Sequence, residues 1–333
     1  MSRDPVPLPA AAKAAGLDDV AGGAKAPLRR HRPLGRARLT RAAAPYGLIA
    51  PAVLVILAVL GYPIYYLVRL SFQQYGLFEL VAHKGKWIGL DNFSTILGDG
   101  QFWHVVLRTV IFTAVNVGLT LVLGTLIALL LKELGKTMRT AITAALVLAW
   151  SMPVVVAAQL WLWMTNYENG VLNYLFTKLH LGNFIQYDWF ANTLVGFAVI
   201  TSLIVWGAIP FVAVTVYAGL TQVPGELLEA AQIDGSGAFR RFRDITFPIL
   251  KPIFVILASL SIIWDFQVFT QPFLLRLQRP DPDYWLMSVY AYEKAFGVTE
   301  YGLGSAIAVV MLVLMMGVTF FYVRQMVRIG EVT

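Results

Sequence analysis

Pro224-Gly-Glu-Leu-Leu-Glu-Ala-Ala-Gln-Ile-Asp-Gly-Ser-Gly-Ala-Phe-Arg-Arg-Phe-Arg-Asp-Ile-Thr-Phe-Pro248 is a polar island between two long apolar stretches, 191–220 and 252–275. Proline at a first helical position and glycine just past a last one are start and stop signals. The island therefore predicts a short helix from Pro224 to Gly235 and a second short helix running to Pro248. The first presents Glu229, Ala230 and Ala231, with Asp234 beyond. Alanines permit close approach and a carboxylate can pair with an arginine, so this face suits a groove on a partner protein. A loop lying on lipid headgroups would carry the same composition.

The flanking stretches set the environment. A membrane-spanning helix needs about 20 predominantly apolar residues, and six stretches qualify: 46–72, 104–131, 141–165, 191–220, 252–275 and 303–325. The composition agrees, with 58% of the 333 residues hydrophobic and 14% charged. A soluble domain has roughly 45–50% apolar and about 25% charged residues. Disulfides, thiolate metal sites and cysteine nucleophiles are excluded because the sequence has no cysteine. The histidines His31, His83, His104 and His180 are scattered, and the sequence has no HExxH or GxSxG pattern. No metal ligand set or catalytic constellation is expected. Residues 1–45, crowded with Arg29, Arg30, Arg32, Arg36, Arg38 and Arg41, are expected to be a disordered basic cytoplasmic tail and not a cleaved signal. Residues 46–328 would form an all-α, polytopic six-span domain with its polar loop at 221–251, and 329–333 a short cytoplasmic tail.

Basic residues collect on the cytoplasmic side of a membrane protein. With the N-terminus inside, the cytoplasmic segments hold the tail, then Lys132, Lys136 and Arg139, then Arg240, Arg241, Arg243 and Lys251, then Arg324 and Arg328. Both termini are therefore expected in the cytoplasm, and the net charge of +7 fits orientation at a bilayer better than nucleic-acid binding. The outer loops 73–103, 166–190 and 276–302 carry Trp87, Trp103, Tyr167, Trp189 and Trp285, which read as interfacial anchors. Pro51, Pro63, Pro153, Pro210 and Pro272 fall within spans, where kinked helices could surround a pathway.

The pattern Glu229-Ala230-Ala231, three residues, Gly235, nine residues, Ile245-x-Phe247-Pro248 resembles the EAA signature of binding-protein-dependent ABC importer permeases, with Phe247 in place of the usual leucine. Trp87-Ile-Gly-Leu-Asp-Asn-Phe93, Asn169-Gly-Val-Leu-Asn173 and Tyr301-Gly-Leu-Gly-Ser305 are similar to segments of sugar-importer permeases, specifically the first permease subunit of the maltose and glycerol-phosphate type. The resemblance implies a type I importer permease (MetI-like) fold in the plasma membrane of a bacterium. It also implies a second homologous permease, a cytoplasmic ABC ATPase dimer and an extracytoplasmic sugar-binding lipoprotein. The EAA segment, with Glu229, Ala230, Ala231, Asp234, Gly235 and Pro248, would couple to the ATPase. The sequence has no GxxxxGK[ST] loop, so ATP and Mg belong to the partner and this chain is expected to bind no cofactor and catalyse no reaction.

An acid at the bilayer centre costs about 2.5–3.5 kcal/mol on insertion scales, which singles out Asp265. Ser261, Trp264, Asp265 and Val268 fall at i, i+3, i+4 and i+7 and are expected to share one helix face. A stacking ring beside hydrogen-bonding groups suits a sugar. The stretch also resembles the sugar-contacting part of the fifth span in the maltose-type permease, with Asp265 where that protein carries asparagine. Trp264-Asp265-Phe266 resembles actinobacterial oligosaccharide and amino-sugar importers. A buried structural hydrogen bond to the neighbouring permease or to backbone is the other reading of Asp265. Trp206 and Phe211, flanking Pro210, resemble a second sugar-contacting segment of that family, whereas Asn116, Gln159, Trp161 and Trp163 read as helix packing. A secondary transporter would show inverted repeats and intramembrane charge chains, and a membrane enzyme a polar reactive cluster; co-purification with an ATPase separates all three classes.

Reporter fusions after residues 90, 136, 178, 236, 288 and 330 should alternate outside and inside, beginning outside. An outside signal at 236 would overturn the assignment, because the EAA loop must meet a cytoplasmic ATPase.

Overall fold

The structure, a computed structural model, describes residues 48–330. The expected basic tail over 1–45 and the last residues, 331–333, lie outside the described residues. The chain divides into Met1–Val59, of which 48–59 are described and helical, and Leu60–Thr333, which holds the remaining architecture.

In chain order the elements are α1 (Leu48–Ser71), β1 (Gln73–Gln74), α2 (Leu77–Ala82), β2 (Lys86–Trp87), α3 (Asp91–Gly98), α4 (Gly100–Glu133), α5 (Lys136–Trp150), α6 (Val154–Met164), α7 (Val171–Lys178), α8 (Thr193–Leu220), α9 (Gly225–Ile233), α10 (Ala238–Phe266), α11 (Thr270–Leu275), α12 (Met287–Tyr292) and α13 (Tyr301–Gly330). Among the described residues α1, α4, α8, α10 and α13 each contain a stretch long and apolar enough to cross a membrane. The two strands pair antiparallel beside α1.

The expected third span is not one straight helix. α5 and α6 meet at 94° across Ser151-Met152-Pro153. Pro153 has no N–H to donate to Ala149, and a proline pushes the residue before it out of the helical region. The chain restarts from Pro153 itself, whose carbonyl accepts from Ala157 N at 3.1 Å. A second correction concerns the polar island: its second helix does not stop at Pro248 but is the beginning of α10. A π-helical turn over Phe242–Thr246 lies where Pro248 would clash with the carbonyl of Asp244, and the widened turn relieves that clash.

The helices pack around three apolar clusters. Phe112, Ile200, Leu203, Val268 and Leu286 join α4, α8 and the segments after α10. Phe102, Phe266, Tyr290 and Ile307 join α4, α10, α12 and α13. Ala128, Val212, Val216, Leu250 and Leu257 join α4, α8 and α10 at the opposite end. The α4–α8 pair is the most extensive contact, and Gly124 lies in it with no room for a side chain, since an added Cβ would lie 2.6 Å from Val212 Cγ1. Small residues are what allow helix backbones to meet in a membrane, where apolar attraction between helices is weak. Arg139 closes the far end of α4: Nε donates to Leu131 O at 2.9 Å and Nη2 to Leu134 O at 2.6 Å, with the guanidinium over the Tyr217 ring. These bonds satisfy carbonyls that a helix end leaves free.

The outer segments are tied by polar side chains. Asn92 Nδ2 donates to Ser71 O and Gln73 O at 3.0 and 2.9 Å, and Phe72 lies against Trp87 and Phe93. Tyr290 donates to Asp99 Oδ2 at 3.1 Å; burial first, and then this carboxylate, hold its hydroxyl above the usual phenol range. Trp87 and Trp103 remain exposed, but Trp189 is not an interfacial anchor. It is buried among Phe176, Phe184 and Tyr187, with its Nε1 donating to Asn173 Oδ1.

Replacing Gly124 with leucine should force α4 and α8 apart. Overpacking of this kind costs about 1–3 kcal/mol, so the G124L chain should unfold in detergent several degrees below wild type, while leucine at the unobstructed Gly118 should leave the melting temperature nearly unchanged.

Candidate functional site

The first candidate surface is α9 and the turn after it. Pro224 starts the helix and Asp234 is its C-cap. Gly235 follows with φ +77, while Gly235 N donates to Gln232 O at 3.1 Å and Ser236 N to Ala231 O at 2.9 Å. This pair of bonds with a left-handed residue is the Schellman ending, which turns the chain sharply into α10. No residue of α9 is buried: Glu229 and Ala230 are exposed and Ala231 half-buried. Among the described residues no basic side chain pairs with Glu229 or Asp234, and the nearby Arg240 and Arg243 both pair with Asp244. Ile233, 87% exposed, and Phe239, 75% exposed, project beside these acids. Apolar knobs and free carboxylates on one ledge give a surface able to seat in a basic-rimmed groove. Leu228 and Val223 anchor the ledge to the α4–α8–α10 cluster. Pro248 is not part of the ledge, for it lies within α10.

The second candidate is a cavity of about 260 Å3 between α5, α6, α8 and the end of α10. Trp206, Phe211, Trp264, Asp265 and Val268 all line it. Their rings form a ladder with Trp150: Trp150 stacks on Phe211 at 5.9 Å between centroids, and Phe211 meets Trp264 at 5.6 Å. Asp265 is 6% exposed, and although its carbonyl accepts from Val268 N at 3.4 Å, its carboxyl group accepts no hydrogen bond from a described residue. Pro210 has no amide hydrogen, so the Trp206 carbonyl one turn earlier lacks its helical donor on the same wall. Aromatic faces, a carboxyl group and a freed carbonyl are the groups that hold a polyhydroxylated ring with an apolar face.

The expected single face of α10 is corrected in two respects. The helix ends at Phe266, so Val268 reaches the cavity from the following turn, and Ser261 is buried without lining the cavity. Trp161, read as packing, donates through Nε1 to Ser202 Oγ at 2.8 Å and lies 5.1 Å from Trp206. Asn116 is fully buried and donates to Phe112 O at 2.8 Å. Sequence reasoning missed Trp150, Met152 and Gln271, which also line the cavity. The signal for the first two was Pro153: a broken span turns the residues before the break inward.

With this geometry in hand, the class is a helical membrane permease whose exposed ledge and internal cavity lie on one packed bundle. Residues 120–329 match the family described as the binding-protein-dependent transport system inner membrane component, and the chain belongs to that family. It is 40% identical over 290 residues to the diacetylchitobiose uptake system permease protein of Streptomyces coelicolor, covering 87% of this chain and 88% of the relative. It is 33% identical over 280 residues to the sulfoquinovosyl glycerol transport system permease protein of Agrobacterium fabrum, covering 83% and 88%. A bacterial ABC transporter involved in the import of the acidic polysaccharide alginate matches with a TM-score of 0.72 at 20% identity, covering 88% of this chain and 98% of that chain, a likeness of fold. The all-α, polytopic ABC importer permease fold therefore stands, with its third span bent.

An added Cβ at Gly235 meets nothing within 4 Å, so substitution there costs backbone strain and not a clash. A left-handed residue with a side chain costs roughly 1–2 kcal/mol, less for asparagine. G235V should therefore speed trypsin cleavage at exposed Arg240 and Arg243 by about 5- to 30-fold, and G235N by clearly less. Equal rates in the two variants would mean that the turn does not hold the ledge.

Proposed function

We propose that this chain forms one half of the translocation pathway of an ATP-driven importer for a di- or oligosaccharide. A homologous permease completes the pathway, a cytoplasmic ATPase dimer carries ATP and Mg, and an extracytoplasmic binding lipoprotein delivers the cargo. The orientation is both termini in the cytoplasm, with α9 facing the ATPase. The observation that carries the reading is the aromatic cavity with Asp265 as its acid. Two relatives are named for cargo that contains sugar units, diacetylchitobiose and sulfoquinovosyl glycerol, which supports a carbohydrate.

In the proposed mechanism the two candidate sites are ends of one lever. Motion of the ATPase displaces α9, and the Gly235 turn passes the displacement to α10, which carries Trp264 and Asp265. Leu228 and Val223 pass it to α8, which carries Trp206 and Phe211. Rigid helices rocking about their packed contacts would then present the cavity to one side and the other in turn. Pyranose faces stack on the rings while hydroxyls pair with the Asp265 carboxyl and the Trp206 carbonyl.

Sugar uptake and ATPase activity stimulated by loaded binding protein, measured together in reconstituted vesicles, test both ends. Loss of a charge-assisted hydrogen bond is worth about 1.5–3 kcal/mol, so Asp265→Leu should lower uptake roughly 10- to 150-fold and Asp265→Asn less. Trp264→Ala should also lower uptake, and stimulated ATPase activity should persist in all three. Glu229→Lys and Gly235→Asp should abolish uptake and stimulation together in correctly inserted protein. Wild-type uptake in Asp265→Leu and Trp264→Ala would move the pathway elsewhere, and lost assembly in those two would make Asp265 structural.

A further inference from the structure

A second cavity on the bundle shares only Trp206 with the pathway cavity, and the inference drawn from it does not rest on the pathway reading. Leu107, Ile111, Val115, Leu119 and Leu123 lie four residues apart on α4, and Leu194, Ala198 and Ile209 face them from α8. Between the two stripes runs an apolar groove of about 880 Å3, floored by Phe112 and Phe197 with ring centroids 5.4 Å apart. Leu107, Ile111, Val115 and Leu194 are exposed.

The groove is asymmetric in charge. His104, Arg108 and Thr193 stand at one end, and the wall beyond them is apolar apart from Thr201, Ser202 and the indole of Trp206. Arg108 Nη1 donates to the carbonyls of Pro282 at 2.8 Å and Trp285 at 3.2 Å, which fixes the guanidinium at the mouth. Its Nε and Nη2 donate to no described acceptor, and although the field of Asp283 reaches it, no ion pair forms. The first turn of α8 opens at the same end, capped by Asn192, whose Oδ1 accepts from Leu194 N at 3.0 Å and Val195 N at 3.2 Å. The positive end of that helix adds to the guanidinium. From Leu107 to Leu119 α4 rises roughly 18 Å at about 1.5 Å per residue, comparable with one leaflet of a hydrocarbon core about 30 Å thick.

We propose that this groove is a binding site for an anionic phospholipid of the leaflet next to the 73–103 loop. The phosphate sits at Arg108 and His104, and an acyl chain lies along the α4 stripe. The cationic mouth selects a lipid over an apolar helix, because an apolar helix lying along the stripe would leave Nε and Nη2 of the guanidinium without acceptors.

The assembled transporter, purified in detergent and titrated with phosphatidylglycerol or phosphatidylcholine of identical chains, tests this by native mass spectrometry. Phosphatidylglycerol should bind about tenfold more tightly, the weight of one charge-assisted bond. R108Q should erase that preference, and V115W, which leaves the guanidinium in place, should weaken both lipids by filling the groove. The sequence has no cysteine, so on this chain a photoactivatable maleimide placed through V115C reports that position alone; it should link to lipid. Equal binding of the two lipids, an unchanged preference in R108Q, unchanged binding in V115W, or a link from V115C to another protein chain would each overturn the proposal.

Discussion

Inside hydrocarbon no water can take an unpaired amide or carbonyl, so the backbone must satisfy itself within the chain. Three departures from regular helix in this protein lie beside polar chemistry. The α5–α6 break at Ser151-Met152-Pro153 borders the aromatic cavity through Trp150, Met152 and Val154. Pro210 frees a carbonyl on the wall of the same cavity. The π turn over Phe242–Thr246 absorbs Pro248 at the end of α10 that carries the polar ledge. Irregular backbone and polar chemistry coincide because a polar cavity or an exposed end can host both.

The remaining bundle is held by close approach. Gly124 lets α4 and α8 meet, and Arg139 ties the end of α4 back to Tyr217 on α8. These contacts make α4 and α8 one body, with α10 packed against both through Leu250 and Leu257. The exposed α9 ledge rests on that body through Val223 and Leu228. In the proposed lever a displacement at the ledge cannot be absorbed locally, because a close-packed interior transmits strain. The Schellman turn at Gly235 matters for the same reason: a frayed helix end would dissipate the motion.

The sequence alone determined a good deal. Apolar length placed the spans, since a bilayer thickness fixes how many residues cross it, and the EAA segment stood out because capping residues and alanines act locally. Asp265 and Trp264 could be named because a lone acid in an apolar run is costly wherever it packs. Trp206 and Phe211 rested on resemblance and on their place beside Pro210. What only the tertiary structure decided was which of these meet. The Trp150–Phe211–Trp264 ladder joins three elements far apart in sequence, and no local periodicity encodes that meeting. Pro153 breaks its helix while Pro210 and Pro252 lie inside theirs, a difference that the local rules for proline do not encode. Trp189 became core and not anchor for the same reason, because burial is a property of what surrounds a side chain and the sequence lists only what precedes and follows it.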